Sequence, residues 1–174
     1  MDKAIYLDVG LCVGCGACAV ACMDQNDIYP EKGQPAFRRI YRIEEGEFPD
    51  ATIQYLSAAC MHCEDSPCVV GCPTGAITKE DRTGAVVIHK ELCIGCHSCA
   101  LACPFGVPRY DQDEKMQKCN LCMERVEAGL EPACVRVCPV SALTFESANK
   151  VQEVKEYKFV DNIANAVHRA ANRK

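Results

Sequence analysis

Tryptophan is absent from this 174-residue chain, and aromatic residues of all kinds make up only 6% of it. A chain so poor in large apolar side chains has little material for an ordinary core, although its length suits one compact domain or two small ones. No apolar run approaches the roughly 18 residues that cross a bilayer, so no direct membrane span is expected. Positive charge is not in excess. The formal net charge is −5 and the pI is near 5.4, and no basic stripe is present to hold nucleic acid. The common catalytic signatures are missing too: no G-x-G-x-x-G after a strand, no P-loop, no H-E-x-x-H and no Gly-x-Ser-x-Gly elbow. The chain opens on Met1-Asp2-Lys3, with no basic, apolar or twin-arginine leader, which sets the expectation of a cytoplasmic, reducing location.

Cysteine is what the chain has instead. Its sixteen cysteines fall into four tight runs with none left over. Cys12, Cys15, Cys18 and Cys22 read C-x2-C-x2-C-x3-C. Cys60, Cys63, Cys68 and Cys72 read C-x2-C-x4-C-x3-C-P. Cys93, Cys96, Cys99 and Cys103 repeat the first spacing and add Pro104. Cys119, Cys122, Cys134 and Cys138 read C-x2-C-x11-C-x3-C-P. A disulfide scaffold does not suit a reducing compartment, and tight C-x2-C pairs favour a shared metal centre over long-range staples. Structural zinc needs only two such pairs and has no use for a third cysteine three residues on. The runs suit [4Fe–4S] cubanes, and four runs imply four clusters with all sixteen cysteines as ligands. If each oxidised cluster with its thiolates carries about −2, the loaded protein lies roughly eight charge units lower. The clusters are then expected to serve as the core and to supply much of the folding free energy.

Two internal repeats set the expected architecture. Ala4–Cys22 aligns with Ala85–Cys103 without a gap, sharing Leu11/Leu92, Gly14/Gly95 and Ala19/Ala100 besides the cysteines. Cys72-Pro-Thr-Gly-Ala-Ile-Thr likewise matches Cys138-Pro-Val-Ser-Ala-Leu-Thr. Strands are expected at 4–7, 76–78, 86–88 and 142–145, with 76–78 and 86–88 forming a hairpin and 4–7 pairing with 142–145. The fold class is α+β: one two-cluster ferredoxin-like module inserted in another. Residues 1–22 and 104–146 form the outer module, and 60–103 the inner one. Residues 23–59 form an insertion, with alternating stretches Phe37–Ile43 and Thr52–Leu56 read as a hairpin around Glu45-Gly46-Glu47. That hairpin reads as covering structure or as a docking face. Short helical turns are expected after the cysteine runs, as at Asp24–Asp27. In the tail, residues 147–174, Phe159, Val160, Ile163, Ala164 and Val167 share one face of an expected helix, with Asp161 as its N-cap.

In two-cluster ferredoxins three cysteines of a run bind one cluster and the fourth binds its neighbour. Applied to the nested modules, this groups Cys12, Cys15, Cys18 and Cys138; Cys22, Cys119, Cys122 and Cys134; Cys60, Cys63, Cys68 and Cys103; and Cys72, Cys93, Cys96 and Cys99. A rival grouping joins the first run to the second and the third to the fourth. Outside the cysteines, His62 and His97 read either as donors to cluster sulfur or as loop histidines in water. Lys118 and Arg136 either raise a local potential or solvate the surface. Met61, Met116 and Met123 read as packing residues.

The four runs, with the x4 variant in the second and the x11 gap in the fourth, resemble the four-cluster electron-transfer subunits of molybdenum and tungsten oxidoreductases. That family includes β subunits of formate dehydrogenases and of dimethyl sulfoxide reductase-type enzymes. It also includes polyferredoxin subunits of hydrogenase–formate complexes, and a small soluble relative that serves tungsten aldehyde oxidoreductases. The resemblance covers about residues 3–146 and implies the same grouping of runs, first with fourth and second with third. It implies a non-catalytic subunit that passes single electrons between a catalytic molybdenum or tungsten pterin subunit, or a hydrogenase, and a second partner such as a flavin subunit. No membrane helix or fused catalytic region of the kind some relatives carry is visible here. The alternative is a freely diffusing polyferredoxin. An added role, self-association into filaments through the tail, would rest on the expected tail helix.

Overall fold

The structure, a computed structural model, describes residues 3–147, 149–153, 156–157 and 160. Its elements are short and alternate in type. In chain order they are β1 (Lys3–Leu7), α1 (Ala17–Gln25), β2 (Arg39–Glu45), β3 (Thr52–Ala58), α2 (Pro67–Val70), β4 (Ile77–Lys79), β5 (Val86–Ile88), α3 (Ser98–Ala102), β6 (Arg109–Tyr110), β7 (Met116–Gln117), α4 (Met123–Glu127), α5 (Ala133–Arg136) and β8 (Leu143–Ser147).

Four two-stranded antiparallel sheets result. β1 and β8 bring the two ends of the described chain together, with Ile5 opposite Phe145 and Leu7 opposite Leu143. β4 and β5 form a local hairpin in which Ile77 faces Ile88. β2 and β3 pair from Arg39–Ala58 to Glu45–Thr52. The hairpin expected around Glu45-Gly46-Glu47 forms, with its loop over residues 46–51 centred slightly later and containing Pro49. Proline has no N–H to give a ladder, so pairing stops before it.

The helices also differ from the expectation. They start inside the cysteine runs rather than after them, and α1 ends at Gln25, where a turn was expected to begin. Left-handed Gly16 sets the chain into α1, and left-handed His97 does the same at the matching position before α3. One turn of α1 then puts Cys18 and Cys22 on the same buried face. Asn26 closes that helix, its side-chain amide donating to the Cys22 carbonyl at 2.8 Å.

Two apolar cores form, and one strand separates them. Ala85 and Val87 belong to the first core, with Cys18, Leu121, Cys134 and Leu143. Val86 and Ile88 belong to the second, around Ile77, Cys93, Cys99 and Met116. The period-two alternation of a strand therefore makes segment 85–88 a common wall. The insertion reaches this interior as well: Ile40 packs on the first core, and Arg38 and Ser57 are buried. Of the expected apolar face of the tail only Val160 is among the described residues, and it is exposed. Phe159, Asp161, Ile163, Ala164 and Val167 lie outside them.

Candidate metal centres

All sixteen thiols are free, and the structure brings them together in four places. Cys12, Cys15, Cys18 and Cys138 line one cavity, floored by Leu7, Ile40 and Leu143. Cys72, Cys93, Cys96 and Cys99 line another, walled by Ile77, Met116 and Tyr110. The remaining two groups are seen through their mutual repulsion. Burial pushes the Cys22 thiol well above its ordinary range, and Cys119, Cys134 and Cys122 push it further. Burial likewise raises Cys68; Lys118 opposes this, while Cys60 and Cys103 add to it. Cys63 follows Cys60 in the same loop, and Ser66 Oγ donates to its carbonyl at 2.7 Å. These are called sites one (Cys12), three (Cys60) and four (Cys93), after the first cysteine of the run that supplies three members, and site two (Cys119).

Crowded, desolvated thiols resist ionisation, and an iron core is the kind of partner that relieves the resistance. Thiolates bind metal, and the cationic core offsets their charge. Cys119, which burial pushes up to about 11, shows the size of the effect without that core. Single-ion chelation has no counterpart here: among the described residues no three His, Cys, Asp or Glu side chains gather closely enough to hold one metal ion. Four-thiolate donor sets drawn from runs of this spacing suit iron–sulfur clusters.

One backbone device recurs in every run. The residue before the second cysteine has a positive φ in all four: Gly14 (68°), His62 (46°), Gly95 (68°) and Leu121 (61°). That left-handed step curls the loop so that amides face inwards, as in anion-binding nests. The His62 amide donates to Cys60 Sγ at 3.5 Å and the Leu121 amide to Cys119 Sγ at 3.4 Å. For His62 and Leu121 the step costs about 1–2 kcal/mol each, which the surrounding fold must offset.

Side chains far away in sequence complete the sites. Ser57 Oγ lies 3.3 Å from Cys18 Sγ and accepts from Arg38 at 3.0 Å. Arg38 also lies close enough to Cys134 to oppose the rise that burial gives its pKa, so it stands between sites one and two. Tyr110 Oη is 3.2 Å from Cys99 Sγ, with its ring stacked on His97 at 3.8 Å. When these sulfurs are ligand thiolates they can only accept, so the hydroxyls donate. Arg38, Ser57 and Tyr110 escape sequence reasoning because no local pattern marks them.

The noncysteine candidates separate. His62 is no solvent histidine: its Nδ1 accepts from the Val86 amide at 2.9 Å and its Nε2 lies 3.5 Å from Cys119 Sγ. Burial first, then Lys118 and Arg38, lower its pKa to about 3. His97 is half-exposed and paired with Glu114 at 3.0 Å. Lys118 is buried, whereas Arg136 is exposed and belongs to the solvated surface. Met116 is fully buried and Met123 packs on the first core. Met61 is half-exposed and is not the packing residue expected.

Spacing, sharing of cysteines between runs and inward-facing amides define a ferredoxin-like iron–sulfur protein. Comparison with known families agrees. Two models described as 4Fe-4S dicluster domains match residues 11–77 and 51–148. The sequence is 38% identical over 157 residues to the B chain of the anaerobic dimethyl sulfoxide reductase of Escherichia coli, covering 85% of this protein and 75% of that one. It is 37% identical to the B subunit of the sulfite dehydrogenase of Allochromatium vinosum, covering 82% of this protein and 67% of the relative. It is also 37% identical to the iron-sulfur subunit of the nitrate-inducible formate dehydrogenase of E. coli, covering 90% of this protein and 58% of the relative. The protein belongs to the 4Fe-4S dicluster family of iron–sulfur subunits of molybdenum and tungsten oxidoreductases.

Proposed function

We propose that this chain is a non-catalytic electron-transfer subunit that holds four [4Fe–4S] clusters at sites one to four. It relays single electrons between a catalytic oxidoreductase subunit of the molybdenum or tungsten pterin class and a second redox partner. The observation that carries this reading is that two cavities each gather three cysteines of one run with one of another: Cys12, Cys15 and Cys18 with Cys138, and Cys93, Cys96 and Cys99 with Cys72. Each cluster, once bound, would exchange one electron at a time while four thiolates leave no iron open to substrate.

The chain's residues also suggest an order. Cys18 of site one lies close enough to Cys134 of site two to raise its pKa, and Cys60 of site three does the same to Cys119 of site two. Helices α2 and α3 link sites three and four, since α2 carries Cys68 and leads to Cys72, and α3 carries Cys99 and ends at Cys103. Electrons would thus pass from one to two to three to four, or back. The β1–β8 pair and the β4–β5 hairpin support the nested division, with 60–103 inside 1–22 and 104–146. Among the described residues no helix is long and apolar enough to cross a membrane. A cytoplasmic setting, where sixteen thiols stay reduced, suits the reading. Filament formation would rest on tail residues outside those described, and no observation here favours it.

The test is anaerobic purification from the native host with iron counting and identification of bound chains. About sixteen irons per chain and a pterin-containing subunit in fixed ratio support the proposal. A lone chain with that iron content makes it a mobile carrier instead. Cys138→Ala is expected to damage the cluster of the Cys12 run. Damage to the cluster of the Cys93 run would refute the ligand sharing.

A further inference from the structure

The two modules meet at a closed ring of contacts around one residue of their common wall. Val86 donates its amide to His62 Nδ1 at 2.9 Å, and its carbonyl accepts from Lys118 Nζ. Lys118 Nζ also donates to the Cys119 carbonyl at 3.0 Å. His62 Nε2 closes the ring on Cys119 Sγ at 3.5 Å. The chemistry of the ring follows from its donors. A nitrogen that accepts from an amide carries no proton, so His62 is the neutral tautomer with its single N–H on Nε2, aimed at sulfur. Lys118 is 4% exposed and has only carbonyl partners; among the described residues no carboxylate pairs with it. A buried cation without a protein counter-charge is costly unless an anion lies near. Candidate thiolates lie on either side: Cys119 of site two takes a hydrogen bond from Lys118 through its carbonyl, and Cys68 of site three is near enough to feel its charge.

Resting on the ligand sets proposed above, we propose that His62 and Lys118 form the electron hand-over junction between the modules. Lys118 supplies positive charge shared by the clusters of sites two and three, and His62 ties the Cys60–Cys63 loop to Cys119 through one N–H···S bond. Both are positioning residues and neither touches substrate. Each cluster becomes more negative on reduction, so the Lys118 charge favours the reduced form of both clusters beside it. The His62 donor favours the reduced form of site two alone, because only Cys119 receives it. Holding the two loops to one backbone residue also fixes the gap an electron must cross.

Redox titration of the full, anaerobically purified protein, followed by electron paramagnetic resonance, decides the matter. In Lys118→Met two of the four one-electron steps are expected to fall, each by about tenfold in equilibrium constant, which is 59 mV for such a couple. The other two steps should move less than about twofold on the same scale. His62→Phe should lower one step only, and it should be one of the same two. Lys118→Arg, which keeps the charge, should restore both. Unmoved steps in variants that retain wild-type iron would overturn the inference, as would a shift spread evenly over all four. If Lys118→Met loses iron, His62→Phe decides alone, since its side chain is replaced by one of similar bulk. A wild type without about sixteen irons overturns the ligand sets instead, and that outcome is read before any variant is made.

Discussion

Gly14 and Gly16 stand two residues apart in one loop, yet a methyl group added to each meets different surroundings. A Cβ on Gly14 would come within 2.3 Å of the Tyr55 ring, whereas one on Gly16 meets nothing within 4 Å. Both residues have positive φ, so alanine at either carries a backbone cost of about 1–2 kcal/mol. Gly14→Ala must also push aside the ring of Tyr55, which β3 lays against this loop. It is expected to lower the thermal midpoint and the iron content clearly more than Gly16→Ala, both measured without oxygen. Equal losses would mean that Tyr55 is free to yield. The repeat made Gly14 and Gly95 legible from sequence as equivalent positions, though not as left-handed ones. His62 and Leu121 occupy the matching position in the other two runs, but nothing in their residue type announces a left-handed backbone. Only the surrounding contacts hold them there.

At the scale of elements, among the described residues no strand pair or α-helix from α1 to α5 is long enough to stand alone: these helices run four to nine residues and the sheets have two strands each. β8 shows how they are held. Leu143 is 3% exposed and packs among Cys18, Cys134 and Ala85, while its backbone pairs with Leu7. Leu143→Ala is expected to cost about 2–5 kcal/mol, since the neighbouring cysteines are pinned and the site has little room to collapse. Urea unfolding under anaerobic conditions would show it as a lower midpoint with an unchanged slope. A loss below about 1 kcal/mol would mean the wall relaxes into the gap. Strand pairing was readable in advance because repeats carry their strands with them. The helix starts were not, since they depend on where a left-handed residue releases the chain, as at Gly16 and His97.

For the whole molecule, composition and structure point to the same dependence on metal. Among the described buried apolar residues, seven of twenty-one are cysteines. Several of those thiols are raised by burial and by one another, so the metal-free state is crowded where it should be cohesive. Iron bound at the sites replaces that crowding with coordination, so binding energy becomes folding energy. Prolonged anaerobic chelation is therefore expected to abolish most far-ultraviolet circular dichroism, with recovery on reconstitution by iron and sulfide. A stable, structured metal-free protein would show that the two apolar cores suffice without clusters.

The sequence by itself determined the candidate ligand residues and the kind of metal group they suit, because the spacing of cysteines along a cubane-binding loop is local. It also determined which strands pair, through the repeats. Only the tertiary structure decided the rest. It brought Cys138 to the Cys12 run and Cys22 to the Cys119 run as neighbours, and carried Arg38 and Ser57 from the insertion to Cys18. It also closed His62, Val86, Lys118 and Cys119 into one ring. These contacts join residues from separate segments, and they exist because β5 turns alternate side chains to two different cores. No local pattern encodes which distant side chain will fill the space beside a given sulfur.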